Sequence, residues 1–460
     1  MSQFTITAIH PVSQERTTLI YNSKDSLLTW EDGTSVVSNP QVQPEVKSPS
    51  KIETGKSDLS TIKIQLGLSC NYECDYCSQR FVPQADQTNP NDVDPFVSNM
   101  STWYHGGEDG LGKGTRFEFW GGEPFVYWKT FKPLAEAIKK KYPNGNLSVI
   151  TNGSLFDEVK NQWLDDLNFS VSVSHDGPGQ PVRGPDPLEN PEAKKHILDI
   201  YKRLATKNRF SFNSMINSKN ISRVGIQEFF ENLIRTELGE NYLQYLIIGE
   251  GGFVDAYDEG GLENSLKDTE EEIKFREYTF NELRTGKADR FVNVGQKIEG
   301  FIKSLAHGVK LDSVSQKCGM DKSDQIAVDL NGNVLTCQNV SPVSTSPSGE
   351  SHHIGHVSDL AAVEIKTATH WRDREDCSNC PVIHMCKGAC MFLSGPLWDS
   401  SCNNAFSDNI VAFTAAIEIM TGLIPIYIDG PLREDRKDIY WWMHGKPQKS
   451  SRKVIPIMQA

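Results

Sequence analysis

The chain has 460 residues, 38% of them hydrophobic and 23% charged, with 47 Lys and Arg against 60 Asp and Glu. That length accommodates two or three domains and a sizeable core. The net charge of −13 argues against a nucleic-acid surface, no apolar run is long enough to span a bilayer, and no signal peptide opens the chain, so a cytoplasmic protein with neither nucleic acid nor membrane as partner is expected.

Residues 1–58 carry short β-like runs at Phe4–Ile9, Thr17–Tyr21 and Ser26–Trp30, the last before an Asp32-Gly33 turn. A polar, Pro- and Ser-containing stretch from about Asn39 to Ser60 reads as a linker. The segment is a small β appendage without a catalytic signature. It suits either a structural cap or an edge that captures an extended peptide.

An apolar strand, Thr61–Gly67, leads directly into Cys70-Asn-Tyr-Glu-Cys74-Asp-Tyr-Cys77. Ten cysteines in a reducing compartment point to metal rather than disulfides. Three thiolates on one short loop can hold three irons of a 4Fe–4S cube and leave the fourth open to a substrate. A zinc knuckle is the bland alternative, but zinc sites usually want four ligands, and no fourth stands nearby. About forty residues on, the aromatic strand Arg116–Trp120 ends in Gly121-Gly122-Glu123-Pro124. The glycines allow a close backbone approach, Glu123 offers a carboxylate, and Pro124 stiffens the turn. Alone this would be an ordinary strand-to-helix turn. After C-x3-C-x2-C with Tyr76 before the last cysteine, it resembles the radical S-adenosylmethionine (radical SAM) family.

From about 59 to 250, strand-like and helix-like segments alternate. The remaining candidate strands are Leu147–Thr151, Phe169–Ser174, Phe210–Ile216 and Tyr245–Ile248, with amphipathic stretches at Lys132–Lys141, Glu192–Thr206 and Ile226–Thr236. Six β/α units argue for a parallel sheet with right-handed crossovers. That fits the partial (β/α)6 TIM-like barrel which the resemblance implies, with chemistry at the C-terminal strand ends. In the family the GGEP segment holds the amino group of SAM. Thr151-Asn152-Gly153 and Ser174-His175-Asp176-Gly177-Pro178 look like two further SAM-pocket segments, Ser174 standing near the methionine end and Asp176 in the adjoining turn. Simple turn chemistry is the alternative for both. An arginine usually follows a His-Asp pair in the family; Arg183 is close by, but the pair is missing. Residues 251–310, with an acidic loop from Asp255 to Glu263, are helical in pattern and bridge two domains.

The other seven cysteines lie between 318 and 402. Cys318, Gly332 and Cys337 precede Cys377-x2-Cys380-x5-Cys386-x3-Cys390, and Cys402 closes the set. Their order is similar to the SPASM extension of radical SAM enzymes that modify peptides. The resemblance implies two auxiliary clusters, one on Cys318, Cys337 and Cys390, the other on Cys377, Cys380, Cys386 and Cys402. Structural zinc sites on the paired cysteines are the alternative. Sulfatase-maturing relatives carry an eighth cysteine between the positions of Cys318 and Cys337. Here either an iron is open, or a group such as Asp321 or Asp324 closes the cluster. Asp329-Leu-Asn-Gly332-Asn reads as a hairpin turn. His352, His353 and His356 read as a solvated loop, Asp373 to Asp376 as a solvated face, and Trp441-Trp442 as packing.

The expected layout is an appendage and linker (1–58), a partial barrel with bridging helices (59–310), a SPASM domain (311–410), and a C-terminal helix and tail (411–460). The resemblance implies three 4Fe–4S clusters, SAM, a flavodoxin or ferredoxin donor, and a precursor peptide that is cross-linked through a C–S or C–C bond. A formylglycine-forming sulfatase maturase is the nearest alternative. A metal-stabilised peptide-binding protein without radical chemistry is the other. No catalytic base can be chosen from sequence.

Overall fold

The computed structural model describes residues 3–37, 54–80, 82–84, 88–346 and 349–439. Most of the linker and Trp441-Trp442 lie outside these residues.

The strands in chain order are β1 (Gln3–Ile9), β2 (Arg16–Asn22), β3 (Leu27–Trp30), β4 (Thr61–Gln65), β5 (Arg116–Trp120), β6 (Asn146–Thr151), β7 (Ser170–Ser174), β8 (Phe210–Ile216), β9 (Ile248–Phe253), β10 (Gln325–Asp329), β11 (Asn333–Leu335), β12 (His353–His356) and β13 (Ile424–Asp429). β4 to β9 lie side by side in sequence order, all parallel, as six β/α units require. The sheet does not close on itself. β10 pairs parallel with the free side of β4, and the β10–β11 hairpin and β12 extend the sheet to nine strands. The partial barrel and the hairpin that precedes Cys337 are thus one sheet, which runs across residue 311.

Alternation fixes the two faces. On β5, Phe117 and Phe119 are buried, whereas Glu118 and Trp120 are half-buried on the concave side. Phe119 packs 4.9 Å from Phe131, and Phe131 lies 5.3 Å from Trp163, on the helices that cover the outer face. Those helices start on local signals. Asp157 accepts a hydrogen bond from Lys160 N (2.8 Å) ahead of Glu158–Asp166, and Asn190 caps Pro191–Leu204 with Pro191 at its first turn. The former helix is not evident in the sequence, and neither is Val93–Trp103.

β9 begins at Ile248, further along than the expected Tyr245–Ile248; Glu240–Tyr245 forms a 3-10 turn instead. The C-terminal segment also differs from the expected helix and tail. The helix Gly395–Thr421 is followed by β13, which pairs antiparallel with β1. The order of this second sheet is β13-β1-β2-β3. Its buried side, including Phe4, Ile6, Leu19, Tyr21 and Leu28, shares a core with Phe301, Phe406 and Phe413. Tyr21 meets Phe413 edge-on at 5.2 Å. The appendage is therefore packed on the cysteine-rich half. Among the described residues no helix is long and apolar enough to cross a membrane.

Candidate active site

The first cysteine loop starts where β4 ends. Cys77 N donates to Cys74 O (3.0 Å), and Tyr72 N donates to Cys70 Sγ (3.3 Å). Burial pushes the Cys74 thiol up to about 11; Arg183 opposes the rise, and Cys77 and Cys70 add to it. Iron bonded to each sulfur would supply the positive charge that a buried thiolate needs. Among the described residues no group of three His, Cys, Asp or Glu side chains converges on a single ion. A cluster places a different demand, since each thiolate takes its own iron.

The two glycines after β5 admit the cysteine loop itself. A Cβ on Gly122 would stand within 3 Å of the Leu68 and Ser69 carbonyl oxygens, and one on Gly121 within 3 Å of Gly67 O. In their place Gly122 N donates to Gly67 O and Glu123 N to Ser69 O, both at 3.0 Å. Pro124 opens the turn Pro124–Tyr127, and the Tyr127 hydroxyl accepts from Ser69 N (2.7 Å). Gly122→Ala is expected to cost about 1–3 kcal/mol through overpacking and to empty this loop of iron. An unchanged melting temperature and iron content would contradict that packing.

Glu123 is fully buried and ties β5 to β6. Its Oε1 accepts from Phe125 N (3.0 Å) and Thr151 Oγ1 (2.7 Å), and its Oε2 from Asn152 N (2.8 Å). Burial pushes the carboxyl above its ordinary value against these donors. A carboxylate has about four lone-pair sites, so acceptor capacity remains for an ammonium group. Asn152 Nδ2 in turn donates to Asn71 Oδ1 on the cysteine loop (2.9 Å).

A second network joins the same loop to β7. The Tyr76 hydroxyl donates to Asp176 Oδ2 and accepts from Arg183 Nη1 (2.7 Å), and Arg183 Nη1 stands 3.6 Å from Asp176 Oδ1. Asp176 Oδ1 also accepts from Met215 N (3.0 Å). Arg183 Nε is buried without a hydrogen-bond partner among the described residues. It is a cation next to Cys74 with a donor to spare. Ser174 is the last residue of β7, opposite Asn213. The ends of β4, β5, β6 and β7 thus converge. Beneath them a cleft of about 380 Å³ runs along the concave face, past Glu118, Trp120, Ser148, Ile150 and Ser172.

The seven remaining cysteines fall into two sets. Cys390, pushed up to about 12 by burial, has Cys337 and Cys318 as charge neighbours. Cys377 is raised by burial and then by Cys386, Cys402 and Cys380. Between Cys318 and β10, both aspartates are engaged elsewhere through one oxygen. Asp321 Oδ2 accepts from Gln316 N (3.0 Å) and faces His370 Nε2 (3.3 Å), and Asp324 Oδ2 accepts from Ser60 Oγ (2.8 Å). The Oδ1 of each is buried without a partner among the described residues. Lys56 Nζ fastens the segment through Met320 O (3.0 Å) and Lys322 O (2.7 Å).

Several participants do not stand out in the sequence. Lys63 Nζ donates to Gln338 Oε1 (3.4 Å) and Gln65 Nε2 to Gln338 O (2.9 Å), so β4 grips the Cys337 loop; Gln79 Nε2 ties the first cysteine loop to Asn339 (3.1 Å). A signal for them exists: polar residues at alternate positions of Thr61–Gln65 mark a strand facing a chamber. Two surface readings hold except at one residue each: Asp373, Glu375, Asp376, His353 and His356 are exposed, but Arg374 and His352 are not. Arg374 lies 3.5 Å from the centroid of Trp398 and near Cys377, Cys390 and Cys402, not on a solvated face. His352 is buried, bonded to Thr336 Oγ1 (2.6 Å), and held down to about 4 by that burial.

Residues 65–182 match the family described as "4Fe-4S single cluster domain". The chain is 22% identical over 404 residues to a radical SAM cyclopropyl synthase, TigE, of Paramaledivibacter caminithermalis, covering 82% of this chain and 75% of that protein. It is 22% identical over 345 residues to a cysteine-type anaerobic sulfatase-maturating enzyme of Clostridium perfringens, covering 70% of this chain and 85% of that one. The solved structure of native anSMEcpe with bound AdoMet covers 79% of this chain and 99% of its own, with a TM-score of 0.54 at 19% identity, and so shares the fold. With the cysteine loop and the GGEP turn meeting at the strand ends, this chain is a radical SAM enzyme of the SPASM type.

Proposed function

We propose that the protein is a peptide maturase that binds three 4Fe–4S clusters and SAM and cross-links a ribosomally made precursor. One observation carries this reading: a three-cysteine loop joined by hydrogen bonds to the buried Glu123 at the strand ends. Cys70, Cys74 and Cys77 would hold the cluster whose open iron binds SAM. Cys318, Cys337 and Cys390 would hold one auxiliary cluster, and Cys377, Cys380, Cys386 and Cys402 the other. Bound together, SAM and its cluster would supply a 5′-deoxyadenosyl radical that takes one hydrogen atom from a substrate carbon.

The protein's own residues position and enclose. Glu123 would accept the SAM ammonium, with Thr151 and Asn152 holding its carboxylate in place. Arg183, fixed by Tyr76 and Asp176, would offer a cation to the SAM carboxylate, and Ser174 stands at the neighbouring strand end. Gly121, Gly122 and Pro124 keep the loop backbone close and water out. The side chain to be modified would lie in the cleft past Glu118 and Trp120. Bond formation then removes two hydrogens in all: one as a hydrogen atom in 5′-deoxyadenosine, the other as a proton plus an electron that leaves for the auxiliary sites.

Similarity to a cyclopropyl synthase, whose ring requires a carbon–carbon bond, favours C–C over C–S bond formation. Similarity to the sulfatase-maturating enzyme keeps formylglycine formation as a second reading. A peptide fits either, and a solved structure of anSMEcpe contains AdoMet and a Cp18Cys peptide. A cytoplasmic setting and a flavodoxin or ferredoxin donor complete the proposal.

The test is the intact mass of short peptides encoded beside this gene after anaerobic incubation with enzyme, SAM and reductant. Loss of two hydrogens, absent with Cys70→Ala, is the expected result, and fragmentation locates the bond. Unchanged peptides, with conversion of a sulfatase-type Cys peptide to the aldehyde, would replace the cross-linking reading by the second.

A further inference from the structure

The two auxiliary cysteine sets differ in the charges built around them. The set of Cys318, Cys337 and Cys390 has Lys63 and Lys56 as cationic neighbours and shares Arg374 at Cys390, but Asp321 beside Cys318 and Asp255 beside Cys390 oppose them. The set of Cys377, Cys380, Cys386 and Cys402 has cations as its foremost non-cysteine charges: Arg374 at Cys377, Arg436 at Cys380 and Lys317 at Cys386.

Arg436 is the most firmly held of these. It is 2% exposed, its Nη2 donates to Cys402 Sγ (3.5 Å) and Asn403 Oδ1 (2.7 Å), and its guanidinium lies 4.4 Å from the Phe406 centroid. A charged donor on the sulfur and an aromatic floor fix both its distance and its orientation. It reaches this position from the turn Glu434–Arg436, just beyond β13, and β13 is held by β1. Asp435, next to it in that turn, acts on the same guanidinium.

Adding an electron to an iron–sulfur cluster adds negative charge. A buried cation and an N–H donor on a ligating sulfur therefore stabilise the reduced form, and removing them makes the cluster harder to reduce. We infer that Arg436 is a positioning residue for electron flow: it raises the reduction potential of the cluster on Cys377, Cys380, Cys386 and Cys402, and so makes that cluster the more readily reduced auxiliary site. This rests on the cluster assignment proposed above. The order of potentials and the role of a residue outside the cysteine-rich stretch go beyond it.

The experiment is a potentiometric titration of the reconstituted full-length protein, followed by electron paramagnetic resonance, with Cys337→Ala and Cys380→Ala variants to assign the auxiliary signals. In the wild type the signal lost in Cys380→Ala is expected to appear at the more positive potential. In Arg436→Gln that signal should move to more negative potential, while the other two clusters stay where they are and iron content is unchanged. Arg436→Lys keeps the charge but not the planar donor, and should shift the same signal less. Should Arg436→Gln lose iron, the Lys variant decides. No shift in a fully loaded variant, or the opposite order in the wild type, overturns the inference. A wild type that takes up about four irons rather than about twelve instead overturns the three-cluster assignment itself.

Discussion

Cys70→Ala is expected to reduce 5′-deoxyadenosine formation from SAM to background. Two thiolates cannot hold a cube that leaves only one iron open, and Cys74 and Cys77 would lose both the cluster and the charge compensation it brings. Compared without iron, the folded chain should barely notice. Cys70 is exposed, and its sulfur accepts a backbone hydrogen bond from Tyr72 N at 3.3 Å, so the stability change should stay within about 0.5 kcal/mol. The other cysteine sets stand on different elements, so iron should fall by about four atoms per chain and not by about twelve. Iron content, melting temperature and product chromatography together check the result. Sustained 5′-deoxyadenosine production by this variant would remove Cys70 from the proposed site.

The second large effect concerns stability. Asp408, on the helix Gly395–Thr421, receives Arg223 Nη2 on Oδ1 (2.6 Å) and Lys297 Nζ on Oδ2 (2.6 Å). Arg223 Nη2 also donates to Gly251 O on β9. One carboxylate thus binds two helices and the last barrel strand to the longest helix of the cysteine-rich half. Asp408→Asn leaves a buried guanidinium uncompensated and should destabilise by about 3–5 kcal/mol, measured by denaturant unfolding of the reconstituted protein. The same group gives a pH signature. Burial alone would raise its pKa, but Lys297 and Arg223 overcome that and hold it below the ordinary 3.8. A depressed carboxyl contributes stability that is complete above the unfolded value and lost as pH falls toward the folded one. Unfolding free energy should therefore decline below about pH 4, and that part of the decline should vanish in Asp408→Asn. Equal acid profiles for the two proteins would dispose of the argument.

What could be read from the sequence is what is local. The cysteine spacing, GGEP and the Thr151-Asn152 and Ser174–Asp176 turns each lie within a few residues, and each follows a strand whose alternation is plain. β5 and β8 fall where their aromatic and apolar spacing puts them. β9 does not, because its Gly-Glu-Gly-Gly stretch has poor strand propensity. Tertiary context decides there: Asn213 Oδ1 fills the place of a Cβ at Gly249, and Phe291 that at Gly251. β13 is hidden differently. Ile424, Ile426 and Ile428 alternate well enough, but the partner strand is at the other end of the chain. Arg374 and Arg436 look like ordinary surface charges until Trp398, Phe406 and the cysteines are brought to them.

The pairing of β1 with β13 also sets an order of assembly. Residues 3–9 leave the ribosome more than four hundred residues ahead of their neighbours 424–429. At about 5–20 residues per second this is a wait of roughly 20–80 s. The β1–β2–β3 meander can form in that interval, but beyond what Phe301 and Leu305 cover, its apolar side waits for the helix of residues 395–421. The turn bearing Arg436 comes later still. Cys402 therefore remains uncovered on that side until the turn Glu434–Arg436 has been made.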